Sequence, residues 1–232
     1  MQYGDAPREH LYTNAVQRYP RAPQLLIGFP KRFVPQRESP TGFAMPGVSD
    51  GVFMSSRDGV RFHRWMEAFI RPGPQPGRWV NRNNFTAWGM IETSSSLEGA
   101  PTGLSLYSTE GYYRGPATRL RRYTLRQDGF VSLHAPLSGG ELITKPIAFD
   151  GTQLRINFST SAAGSVRIEM QDPGGQPIEG YDLADCPDIF GDEIERVVTW
   201  NQGSDLSRLA HKPVRLRLVV KDADVYSFRF TK

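Results

Sequence analysis

Residues 49–65, SDGVFMSSRDGVRFHRW, oblige the chain to double back on itself. Gly51-Val52-Phe53-Met54-Ser55 puts its apolar residues on a short strand, Arg57-Asp58-Gly59 makes a tight turn, and Val60, Phe62 and Trp65 resume an apolar pattern beyond it. Asp58 can fold its carboxylate onto amides of its own turn, and Gly59 accepts the positive φ that the turn needs. Phe62 can plug the hairpin into its neighbour. The turn therefore reads as structural, one hairpin of a repeated unit.

The same punctuation continues on both sides. Residues 24–29, QLLIGF, read as a strand, and Pro20, Pro23, Pro30 and Pro35 forbid a long helix around it. Loops at 38–48 and 71–77 are rich in Pro and Gly, and residues 85–93 and 104–108 read as further strands. These groups recur about every thirty to forty residues, a spacing expected of propeller-type antiparallel blades. Past Gly115-Pro116 the strands become cleaner: 123–133, 141–149, 153–158, 165–170, 194–200, 214–220 and 225–230, with turns such as Gln127-Asp128-Gly129 and Asp150-Gly151 between several of them. Val214-Arg215-Leu216-Arg217-Leu218 alternates strictly, so one face is buried and one wet. Residues 205–210 alone suggest a helical turn. The expectation is an all-β protein, with propeller-like blades over residues 1–116 and a jelly-roll-like β-sandwich over 117–232.

Composition narrows the function. Hydrophobic residues at 38% and charged residues at 22% are those of an ordinary globular protein, so nearly everything should fold. A net charge of +4 is too small and too dispersed to give a nucleic-acid footprint. Arg119, Arg121, Arg122 and Arg126 do cluster, but they alternate with strand formers and read as the solvated edge of a strand. No segment reaches the ~20 apolar residues of a membrane helix, and the start has no basic region followed by an apolar core. A soluble, unexported protein without nucleic-acid or membrane partners is expected. The single cysteine, Cys186, excludes an intrachain disulfide framework and a cysteine-based zinc site.

Four segments carry a family resemblance. They are Tyr12-Thr13-Asn14-Ala15-Val16, Arg21-Ala22-Pro23 with Gly28-Phe29-Pro30, Ser56-Arg57-Asp58-Gly59-Val60-Arg61-Phe62, and Tyr123-Thr124-Leu125-Arg126-Gln127-Asp128-Gly129-Phe130. Together they resemble the later part of glycoside hydrolases that join a five-bladed propeller, of the arabinanase, levansucrase and invertase type, to a C-terminal β-sandwich. The Ser56 turn also resembles the Asp-box of sialidases, departing from it in that Gly59 follows Asp58 immediately. None of these motifs is catalytic. The resemblance implies a carbohydrate partner, carboxylate acid/base hydrolysis of a plant or microbial glycan, and no required cofactor. In such propellers the first blade usually supplies the nucleophile or base, and the resemblance covers only later blades; an incomplete propeller exposes unpaired sheet edges, so a homo-oligomer or missing N-terminal blades are expected.

Glycoside hydrolysis needs two carboxyl groups ~5 Å apart for retention or ~6.5–9.5 Å for inversion. Glu110 ranks first, followed by Asp50 and Glu92. Glu110 ends a strand among Tyr107, Tyr112 and Tyr113, where burial is expected to outweigh Arg114 and leave a carboxyl able to protonate a leaving oxygen. Trp79, Arg82, Asn83 and Asn84, with Tyr112 and Tyr113, offer the rings, amides and guanidinium of a sugar-binding surface. The alternative is a non-catalytic carbohydrate-binding or structural module, in which the carboxylates are salt-bridged and Trp79 and Trp88 are core plugs. A third reading is an esterase acting through Ser49, since Gly47-Val48-Ser49-Asp50-Gly51 matches G-x-S-x-G. The context is wrong, with Pro46 before the motif and a strand after it. His10, His63, His134 and His211 are scattered. Asp182, Asp185 and Asp188, near Asp192 and Glu193, suit a structural Ca²⁺ or, with more weight, a polar cap on the sandwich edge. Cys186 reads as a packed thiol.

Overall fold

The computed structural model describes residues 4, 7–113 and 115–232, and Arg114 lies outside them. Among the described residues the chain is all-β, with 49% of residues in strands and 4% helical, and its antiparallel sheets curl. It divides into two compact units, Met1–Arg126 and Gln127–Lys232.

The first unit is built around β5 (Val48–Ser56), which pairs back on β6 (His63–Ile70) in the expected hairpin. The other edge of β5 takes two strands end to end: β4 (Lys31–Val34) beside its first half and β3 (Ala22–Gly28) beside its second. β1 (His10–Tyr12) and β2 (Gln17–Tyr19) complete a six-stranded sheet of order β1-β4-β5-β3-β2 with β6 on β5. Because β5 is central, both its faces are covered, and Val52, Phe53 and Met54 in succession are buried. The turn after it is held as its sequence implies. The Ser56 hydroxyl accepts from the Gly59 amide at 2.9 Å, and Asp58 Oδ1 accepts from the Val60 and Arg61 amides at 2.9 and 2.8 Å. Phe62 is buried immediately beyond.

A second sheet of the same unit runs β7 (Ile91–Thr93), β8 (Gly103–Glu110), β9 (Arg119–Arg126). Upstream of β7, Phe85 and Ala87 bond to β8 at Thr109 and Tyr107, but the chain leaves the sheet at Gly89, whose φ is 105°. The strand expected over 85–93 is therefore interrupted. β9 pairs with β8 over its whole length, so the units divide after Arg126 rather than after Pro116.

The second unit contains one curled five-stranded sheet of order β10-β14-β12-β13, with β11 also on β14. Its strands are β10 (Leu133–Ala135), β11 (Gly140–Ile143), β12 (Gln153–Gln171), β13 (Asp192–Val197) and β14 (Arg215–Thr231). The strands expected at 153–158 and 165–170 fuse into β12, and those at 214–220 and 225–230 fuse into β14. Register shifts at Asn157/Phe158 and Thr160/Ser165 bend the pair without breaking it. Gly164 sits at the second shift, where a Cβ would lie 2.3 Å from the Asp222 carbonyl oxygen. A short 3-10 helix, Ser207–Leu209, occupies the expected helical turn.

The strict alternation of the sequence becomes the core of this unit: Leu154, Ile156, Val166, Ile168 and Met170 from β12 pack with Leu216, Leu218 and Val220 from β14. Trp200 joins them and satisfies its ring N–H on the Ile168 carbonyl at 3.0 Å. No described helix is long and apolar enough to cross a membrane. Leu216 is fully buried, so Leu216→Ala is expected to cost about 2–5 kcal/mol in urea unfolding. Leu137→Ala, at a side chain 57% exposed, should stay within about 0.5 kcal/mol; equal losses would contradict this placement of the core.

Candidate functional site

Alternation along β9 points Arg119, Arg121 and Tyr123 to one face, and the β8–β9 register sets Arg119 opposite Glu110 and Arg121 opposite Ser108. Both guanidiniums thus reach the last side chain of β8. Arg119 Nε donates to Glu110 Oε2 at 2.9 Å, and Arg121 donates through Nε and Nη2 to Oε1 at 3.0 and 2.6 Å. A third guanidinium arrives from the 3-10 helix Pro76–Arg78, with Arg78 Nε 3.4 Å from Oε1. Arg78 is itself buried, donating to Asn84 Oδ1 at 2.8 Å and to the Tyr123 hydroxyl.

The Glu110 side chain is only 8% exposed. Burial pushes its pKa up, but the hydrogen bonds from Arg121 and Arg119, with their charges, outweigh burial and hold it below the usual 4.5. Glu110 is therefore a carboxylate at neutral pH, which corrects the expectation that burial leaves it a proton donor. The sequence reading weighs only Arg114; the cations that decide the matter are Arg121 and Arg119 on β9.

The clamp forms one wall of a cleft of about 230 Å³, lined also by Gln75, Gly77, Gly111 and Ala117. Gly111 is required there, with φ of 67° and the Ala117 carbonyl oxygen 2.6 Å from where a Cβ would stand. Asn83 ties two sides of the cleft together: its Nδ2 donates to the Gly77 carbonyl at 2.9 Å and its Oδ1 accepts from the Tyr112 amide at 3.1 Å. Tyr112 and Tyr113 meet edge to face at 4.9 Å, and the Arg82 guanidinium lies 5.3 and 5.4 Å from their ring centres. Among the described residues the Tyr113 hydroxyl is buried without a hydrogen-bond partner. Arg82, Asn84 and Tyr113 all have positive φ, at 66°, 59° and 68°, a concentration of backbone strain typical of functional corners.

The other expected residues are placed elsewhere or otherwise engaged. Asp50 on β5 faces Arg32 on β4, which grips it at 2.9 and 2.6 Å and also reaches Glu9 at 3.3 Å. Glu92 is exposed on β7 and accepts from the Thr102 hydroxyl at 2.5 Å. Neither lines the cleft. Trp79 is half-buried, with its ring N–H given to the Gly73 carbonyl at 2.8 Å. Asn83 and Asn84 are buried, and their amides serve backbone and Arg78 rather than an open surface. Of the expected binding group, then, the structure gathers Arg82, Tyr112 and Tyr113. Trp88, weighed as a core plug, is instead exposed, with its ring N–H on the Val16 carbonyl.

Ser49 is 1% exposed within β5, and its hydroxyl donates to the Asn83 carbonyl at 2.7 Å, which makes it a tie between segments rather than an exposed nucleophile. Asp182 Oδ1 accepts from the Ala184 and Asp185 amides, Asp185 accepts from Asn201, and Asp188 stands 3.8 Å from Arg167. Among the described residues no three His, Cys, Asp or Glu side chains gather as a metal site. Asp182 closes its own loop, and Asp185 and Asp188 tie that loop to Asn201 and to Arg167 on β12. Cys186 is buried, which pushes its thiol pKa up.

Sequence reasoning missed Gln75, Arg78, Arg119 and Arg121 as parts of the site. The legible sign was the Arg-x-Arg alternation of residues 119–121 following Glu110 across a Gly-Pro turn, the arrangement of a cross-strand ion pair.

Because the folded pKa of Glu110 lies below its unfolded value of about 4.5, the clamp stabilises fully above that value, and this contribution is lost as pH falls through the lower folded pKa. Glu110→Gln is expected to cost about 1–3 kcal/mol at pH 7 and to lose less further stability on acidification below pH 4.5 than the parent. Acid-unfolding curves that run parallel would refute the clamp. No family model matches the chain, and no curated protein and no solved structure matches it.

Proposed function

We propose that this chain binds carbohydrate at the exit of β8 and does so without cleaving it. One observation carries the reading: Tyr112 and Arg82, offering a ring and a guanidinium, are fixed beside a cleft rich in hydrogen-bond donors, Tyr112 by the Asn83 side chain and by Tyr113, whose own ring is stacked on Phe43. Rings supply apolar faces for a sugar, while directional donors select its hydroxyl pattern. The curled antiparallel sheets are compatible with propeller-type blades and a sandwich, the architecture that the family resemblance implies.

Against hydrolysis stands the pairing of carboxylates. A glycosidase needs an acid and a base or nucleophile on opposite sides of the scissile bond. Among the described residues lining this cleft Glu110 is the single carboxylate, and it is held ionised. A hydrolase reading retains one support, since an ionised, cleft-lining Glu110 has the charge state of a base or nucleophile.

Titration calorimetry against a panel of neutral and acidic oligosaccharides, run beside an aryl-glycoside assay, separates the two. Binding is expected without turnover, and Tyr112→Ala should weaken it about three- to tenfold, the worth of one aromatic contact. Turnover abolished by Glu110→Gln would replace the binding reading with the hydrolase one. Affinity unchanged in both Tyr112→Ala and Arg82→Ala would remove the site from this corner altogether.

A further inference from the structure

We infer that the cleft between the 3-10 helix and the β8–β9 turn is a carboxylate-recognition site, and that its ligand is a uronic-acid residue of an acidic glycan. The sugar part rests on the carbohydrate reading above; the carboxylate part stands on the cleft itself.

The charges do not balance. Three guanidiniums, those of Arg78, Arg119 and Arg121, surround one carboxylate, Glu110, leaving an excess of two positive charges (three minus one). Glu110 repels an incoming anion, but its oxygens are already engaged, Oε1 by Arg121 and Arg78 and Oε2 by Arg119. The surplus cations decide the sign of the site. A further anion lowers the uncompensated charge, and a cation would raise it.

The free hydrogen-bonding groups have the same polarity. Arg119 uses Nε on Glu110, and among the described residues its Nη1 and Nη2 have no partner; its side chain is 66% exposed at the mouth of the cleft. Gln75 accepts from Arg121 through Oε1 at 2.8 Å, which leaves its Nε2 hydrogens as donors. Two parallel N–H groups on one guanidinium edge match the two oxygens of a carboxylate, and because Glu110 fixes the Arg119 Nε, that edge is oriented before the ligand arrives.

Volume sets the scale of the ligand. A cleft of about 230 Å³ falls below the roughly 300–1,000 Å³ of sites that enclose drug-sized molecules, so it suits one sugar ring rather than an oligosaccharide. The ring of Tyr112, which follows the cleft-lining Gly111, then meets the neighbouring sugar of a chain, while Tyr113 stays packed on Phe43.

The experiment is a calorimetric or NMR titration with glucuronate, glucose, acetate and inorganic phosphate, repeated at low and high NaCl and with Arg119→Gln and Arg119→Lys. Glucuronate is expected to bind at least about tenfold tighter than glucose, to weaken with salt, and to weaken about tenfold in both variants, because lysine keeps the charge but not the two-toothed edge. Circular dichroism of the variants checks that they fold. Glucose binding as tightly as glucuronate overturns the carboxylate site and leaves the carbohydrate reading standing. Acetate binding as tightly as glucuronate keeps the carboxylate site and overturns the sugar assignment. Phosphate binding tighter than either, glucuronate affinity unchanged in Arg119→Gln, or no binding of any probe overturns the inference.

Discussion

Asn84 holds together the parts of the first unit that the candidate site needs. It is buried in a left-handed conformation, with φ of 59°. Its backbone amide bonds to Thr109 on β8 and its Nδ2 to the Ser49 carbonyl on β5 and to Arg78, while its Oδ1 accepts from the Arg78 guanidinium. A side-chain amide can satisfy donors and acceptors at once, and asparagine tolerates positive φ better than most residues, so one residue closes a corner that would otherwise leave several buried polar groups unpaired. Arg78 depends on it directly. Held by Asn84 and Tyr123, that guanidinium is fixed beside Glu110 before any ligand is considered.

The Glu110 clamp follows from the cost of burial. A carboxylate withdrawn from water loses several kcal/mol of hydration, and one partner rarely restores it, whereas two hydrogen-bonding guanidiniums with a third charge beside them do. That requirement constrains the sequence nonlocally. A slip of one residue between β8 and β9 would turn Arg119 and Arg121 to the opposite face and leave Glu110 buried beside Leu120.

This nonlocality separates what could be read in the sequence from what could not. The Ser56–Phe62 turn was legible because its bonds run between residues two or three apart. Likewise the alternation around Leu216 named its own buried face, and the short helix at Ser207–Leu209 showed in its local pattern. The long strands β12 and β14 were not legible as single elements, since a register shift through residues 160–165 has the same small and polar residues as a turn. Asn83 and Asn84 have the composition of a ligand surface, but their amides were consumed by backbone groups that are distant in sequence or fixed only by tertiary structure. The basic residues of β9 read as solvated because the facing Glu110 enters only once register is known.

Those arginines also show why a buried ion cluster can be structural and recognitive together. A cluster that served stability alone would be expected to balance its charges and spend its donors, as Asp50 and Arg32 do with two hydrogen bonds between them. Around Glu110 the pairing stops short: Arg119 commits one nitrogen to the carboxylate and keeps its outer edge toward solvent. Burial of Glu110 requires cations, but it does not require that one of them remain partly unspent at the mouth of a cleft. Among the described residues the surplus distinguishes this corner from the Asp50–Arg32 pair, and on the inference above it gives the cleft a preference for anions that follows from charge and donor count.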